Sequence, residues 1–110
     1  MGVVNTLYLM KERLQEIQNS ITSIFDYNLN SIQSYKNSVE EIVGLIQTMP
    51  DSHNVTLEYW KGLAIEELQK ELNSRFAEKF YKLSTEEQKS EFKFSKITVS
   101  NVLMNIIMNL

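Results

Sequence analysis

Three pairs of glutamates, Glu12 with Glu16, Glu67 with Glu71 and Glu87 with Glu91, stand four residues apart. On a helix that spacing puts both carboxylates of a pair on one face. Two carboxylates with separated pKa values can run acid–base catalysis, but only in a cleft that gives them different environments. On an amphipathic helix the same spacing marks the solvated side. His53 is the only imidazole, it sits in the turn-forming run PDSHNV, and the chain has no Cys. Zinc and helical di-iron centres therefore find no ligand set, and thiol and disulfide chemistry are excluded. No Gly-rich phosphate loop, nucleophile elbow or dinucleotide fingerprint is present. These residues predict a protein that is not an enzyme and uses no metal or cofactor.

Four phenylalanines, Phe76, Phe80, Phe92 and Phe94, have the flat faces needed to stack on single-stranded nucleic acid. Such a platform works beside a basic groove. Here the formal charge is −3, the isoelectric point is near 5.2, and the eleven Lys and Arg alternate with acids. Core packing is the better account of the rings, and nucleic acid is excluded as a partner. Met49, Met104 and Met108 suit gap-filling or an adaptable protein surface.

The elements that must carry these residues are long. With 43% hydrophobic and 23% charged residues the chain is too apolar to be disordered, and at 110 residues it is one domain. One Pro and three Gly allow few turns. From Leu7 to Ile46 apolar residues recur every three or four positions, with Lys36 the single polar member, which predicts one helix over about 3–49. At Ile21, Phe25 and Leu29 the spacing runs four and four, a stutter that would straighten the helix. Pro50 ends it, and residues 50–62 read as a turn, with the next helix starting near Leu57 after Thr56 or only past Gly62.

A second helical run covers 63–109. Trp60, Ala64, Leu68, Leu72, Phe76 and Phe80 follow strict fours, which drift by about 40° a step and must wrap a neighbour. At LSTEEQ two readings stay open: the helix runs through, or the capping-box pair Ser84 and Glu87 opens a third helix. EFKFSKITVS is β-prone by composition but is read as helix. Beyond it, ITVSNVLMNIIMNL is apolar except for Thr98, Ser100 and a row of Asn101, Asn105 and Asn109. It is too short and polar to span a bilayer, so no stable membrane insertion is expected. A helix greasy over most of its circumference needs cover on several sides. Phe25, Phe76, Phe80, Val102, Leu103, Ile106, Ile107 and Leu110 are the expected partner-facing residues.

Trp60-Lys61-Gly62 lies near the middle of the chain between two helical runs. In a small, acidic, helical, Cys-free chain this resembles the WXG family of type VII secretion proteins. The resemblance implies an all-α, long antiparallel helical hairpin, two of which pair as a four-helix bundle. Trp60 and Gly62 would form the bend and Ala64 the small residue after it. It also implies a non-enzymatic adaptor or targeting factor for a larger effector, acting as a homodimer or, better, a heteromer. The family's Tyr-x-x-x-Asp/Glu tail is missing, since Tyr81 is followed four on by Thr85. The chain would then ride with a partner that carries the signal. The alternative is a small helical inhibitor, of phage or viral type, that sequesters an intracellular target. The start MGVVNTLYLMKER lacks the basic region and cleavage site of a signal peptide, so a cytoplasmic protein is expected, exported without cleavage if WXG-like. Gly2 and Thr6 fit the N-myristoylation pattern, and an unmodified helix start with Thr6 as cap is preferred.

Overall fold

The helix expected over residues 3–49 is two helices in the computed structural model, which describes residues 3–110. Helix α1 spans Val3–Thr22 and α2 spans Leu29–Thr48; Gly2 of the myristoylation pattern lies outside the described residues. The break falls at the stutter. Ile21 is buried, but Phe25 and Leu29 both face solvent. Side chains satisfy the backbone groups that the two helix ends leave open. Thr22 and Ser23 hydroxyls both donate to the Asn19 carbonyl, at 3.1 and 2.7 Å. Asn28 caps α2 by accepting from the Ser31 amide at 2.9 Å, and the Ser31 hydroxyl donates to the Asp26 carbonyl at 2.9 Å. The apolar stripe thus folds back on itself, α1 against α2, and Arg13 pairs with Glu41 across the two at 2.6 Å.

The next turn is also set by short polar side chains. Met49 is extended, as a residue before proline should be. His53 takes a left-handed φ of 61°, with its amide donating to Asp51 Oδ1 at 2.8 Å. Asn54, not Thr56, caps α3 (Val55–Lys70) by accepting from the Leu57 amide at 3.1 Å. Because Asp51 and Asn54 complete the reversal so early, Trp60, Gly62 and Ala64 fall inside α3 rather than in a bend. Nothing requires glycine at 62: a Cβ there would meet no atom within 4 Å.

After α3 the phase is reset. Residues Glu71–Arg75 form a π turn, in which the Phe76 amide donates to the Glu71 carbonyl at 3.0 Å. A wider turn absorbs the drift that strict fours accumulate, and Phe76 and Phe80 point inward on either side of Ala77. A short 3₁₀ turn, Glu78–Lys82, leads to α4, Thr85–Met108. Helix α4 opens on a capping box: Ser84 Oγ accepts from the Glu87 amide at 3.2 Å and Glu87 Oε1 from the Ser84 amide at 3.3 Å. The β-prone run 91–100 is helical, its branched residue Val99 buried on the core face of α4.

The protein is all-helical, with no strand among the described residues. Helix α1 packs against α2 and α4, and α3 packs against the same two. They enclose one core, to which α1 gives Leu14, Ile17 and Ile21, α2 Ile32, Ile42 and Ile46, α3 Leu57 and Leu68, and α4 Val99, Leu103 and Ile106. Tyr35, Phe76, Phe80 and Phe92 fill one end edge to face, with centroids 5.0 to 5.7 Å apart. Lys36, the polar member of the stripe, snorkels out to the Tyr81 hydroxyl at 3.2 Å. The molecule measures 49 × 22 × 17 Å.

Candidate functional site

The glutamates that could have served acid–base chemistry are used otherwise. Glu12 and Glu16 are exposed, and Glu87 is occupied in the α4 cap. Glu71, only 4% exposed, and Glu91 both pair with Arg75, so that one guanidinium ties the π turn to α4. Burial opposes the charge of Arg75, yet the two carboxylates hold its pKa above the ordinary guanidinium value. This is a structural clamp. His53 is fully outside, and among the described residues no cluster of His, Asp or Glu could hold a metal ion.

The residues expected to face a partner mostly face the chain's own interior. Phe76, Phe80, Val102, Leu103 and Ile106 are buried in the core, and Ile107 and Leu110 are half-buried against it. The reason is the extra reversal at 23–28: four helical segments from one chain supply the cover that two would have needed from a second molecule. Trp60 is half-buried, packed on the core and stacked against Tyr59 with ring centroids 5.5 Å apart. Phe25 alone stays outside, 87% exposed at the tip of the α1–α2 turn.

A different set of α4 side chains is left uncovered. Phe94, Ile97, Met104 and Met108 are 60%, 52%, 50% and 75% exposed, and Asn101 is exposed between them. Their spacings of three, four, three and four define a single stripe, which lies opposite the buried row of Phe92, Val99 and Ile106. Helix α4 therefore has two apolar faces, one spent on the core and one turned to solvent. Sequence reasoning missed the second because a helix apolar nearly all round has no periodic signal to say which arc points inward. The Asn row has a local explanation: the Asn105 and Asn109 amides donate to the carbonyls four residues back, at 3.0 and 2.7 Å.

At the start of the stripe the surface turns basic. A groove of about 640 Å³ between the α1–α2 turn and α4 is lined by Phe25, Asp26, Tyr27, Phe92 and three lysines, Lys89, Lys93 and Lys96. Lys96 donates to the Ile24 carbonyl at 2.6 Å and lies 4.7 Å above the Phe92 ring, a cation–π contact. Burial, and then the charge of Lys93, push its ammonium below the ordinary lysine value. A second groove runs on from it between Thr22 of α1 and Ile97 and Asn101 of α4, sharing Lys93 and Lys96. The two make one continuous trough beside the apolar stripe. Among the described residues no helix is long and apolar enough to cross a membrane. No protein-family model, curated protein or solved structure matches the chain.

Proposed function

We propose that this protein acts by binding rather than by catalysis, as a self-contained four-helix module that offers the outer face of α4 to a partner protein. One observation carries the reading: Phe94, Ile97, Met104 and Met108 form a helix-spaced stripe on the side of α4 away from the core, half or more exposed among the described residues. Scattered exposed apolar residues are ordinary on any surface, but a contiguous stripe along one helix marks an interaction site. Its spacing matches the anchors by which one helix grips another.

Of the two roles open to such a module, sequestering a protein target has more support than acting as a type VII secretion partner. The WXG-like role calls for a bend at Trp60-Lys61-Gly62 and a second hairpin to complete a bundle. Here that tripeptide is helical, and the helices of one chain already share a core.

The test is site-specific photocrosslinking in cells, with the reactive side chain at Met104 or, as control, at exposed Glu40 on α2. The reading expects one adduct from position 104, identified by mass spectrometry and lost in Ile97→Asp. The purified pair should bind with the same dependence on Ile97. Equal adducts from both positions, or a purified pair indifferent to Ile97→Asp, would sink it.

A further inference from the structure

The chemistry of the occupant can be taken further, on the reading that α4's outer face is a docking surface. A seam spaced three, four, three and four is complementary to another seam of the same kind, so a helix fits it better than a strand or a loop. From Phe94 to Met108 it runs about 21 Å, two heptads. Asn101 occupies the middle a-type position, where a buried amide fixes register by demanding an amide or hydroxyl opposite.

Charge narrows the partner. From Phe92 to Leu110 the chain has no Asp or Glu. Lys89 has Glu86 for company at 3.5 Å, Lys96 rests on a carbonyl and a ring, and Lys93 has no ion-pair partner among the described residues. In a chain whose formal charge is −3, the trough beside the seam is locally positive, with three lysines against the single carboxylate of Asp26 in its lining. A second copy of this chain would bring the same lysines and the same acid-free seam to the contact, with only Asp26 of that lining to set against them. We infer that the face accepts an amphipathic helix of another protein whose apolar seam is flanked by Asp or Glu, the carboxylates lying over Lys89 and Lys93. One end of that helix reaches the groove beneath Phe25, which supplies an apolar contact there.

A displayed library of helical peptides of about 18 residues tests this on the immobilised full chain. Apolar residues are allowed at a and d positions, and Glu or Lys at e and g. The expected result is a pool rich in Glu at the flanks, whose binding falls about tenfold in high salt or against the Lys89→Glu/Lys93→Glu variant, and which is lost against Ile97→Asp. Both lysines are exposed, so that variant keeps the fold, as circular dichroism checks. A pool that depends on Ile97 but shows no preference for Glu would overturn the acidic partner and leave the docking face standing. No pool that depends on Ile97 would overturn both. A native mass showing a dimer that Ile97→Asp dissociates would assign the face to a second copy, against the inference.

Discussion

The hydroxyl of Tyr35 on α2 and the hydroxyl of Ser95 on α4 lie 2.7 Å apart in a hydrogen bond, each residue fully buried. They join the two helices diagonally across the core, where Tyr35 also meets the rings of Phe76 and Phe92 edge on. A polar pair in an apolar interior is fixed in register, because any slip leaves one oxygen without a partner. Ser95→Ala keeps the packing volume nearly unchanged but strands the tyrosine hydroxyl. We expect a loss of about 1–3 kcal/mol in urea unfolding. Tyr35→Phe made together with Ser95→Ala should recover much of it, since neither oxygen is then left alone. Additive losses in the double variant would contradict the pairing.

The same hydroxyl makes stability fall at high pH. Burial pushes Tyr35 above the ordinary phenol value of 10.0, while the Ser95 hydrogen bond pulls the other way. The folded state therefore favours the neutral form, and an unfolded chain ionises first. The stability tied to this group is complete below pH 10 and declines as pH rises from there towards the folded value. Lys96, whose ammonium burial lowers, acts in the opposite sense, but it is present in wild type and variant alike. Urea midpoints between pH 8 and pH 11 should thus drop more steeply for the wild type than for Tyr35→Phe. Parallel curves would show that Tyr35 has no part in the alkaline loss.

How much of this was legible in the sequence depends on what kind of signal each feature leaves. All-helical character was legible, because apolar residues recur three or four apart along α1 and α2 and four apart along α3, and one Pro and three Gly leave room for few breaks. The capping pair Ser84 and Glu87 and the proline after Met49 also leave local marks. The reversal at 23–28 does not stand out, because Ile21, Phe25 and Leu29 keep helical spacing straight through it. Only Asp26 and Asn28 hint at the cap, and two polar residues weigh little against a regular stripe. That miss carried the partner face: with one long helix in place of two, the core side of α4 is left without cover; the bend at Trp60 came instead from the WXG resemblance, and Asn54 caps α3 upstream of it. The exposed stripe was unreadable for another reason. Which arc of an all-round apolar helix is buried depends on where α1 and α3 sit, and that is a tertiary fact.

Removing the guanidinium of Arg75 should be costly. Glu71 is almost wholly buried and relies on Arg75, which also reaches Glu91 on α4. Breaking a buried ion pair from one side commonly costs 3–5 kcal/mol, roughly, but Arg75 is a quarter exposed and water screens part of that, so about 2 kcal/mol is expected for Arg75→Met. Replacing Glu71 by Met as well removes the stranded charge and should restore most of the loss, leaving Glu91 in partial contact with water. Urea unfolding of the three variants measures both steps. A double variant weaker than Arg75→Met alone would mean the π turn itself needs the carboxylate.

The sharpest test of the fold is the replacement of glycine. Gly62 lies inside α3 and Gly44 inside α2, and a Cβ added at either would meet nothing within 4 Å. Glycine in a helix interior gives up more backbone entropy on folding than alanine does, roughly 0.5–1 kcal/mol per site. Gly62→Ala should therefore stabilise the protein by about that amount, and adding Gly44→Ala, on another helix, should add a similar increment. For a domain of this size the pair should raise the melting temperature by about 4–8 °C per kcal/mol gained. A hairpin bend at Trp60-Lys61-Gly62 makes the opposite demand, because alanine would strain the turn and lower the melting temperature. Thermal unfolding of Gly62→Ala, followed by circular dichroism, thus separates the two placements by the sign of the shift, with Gly44→Ala as the control expected to rise in either case.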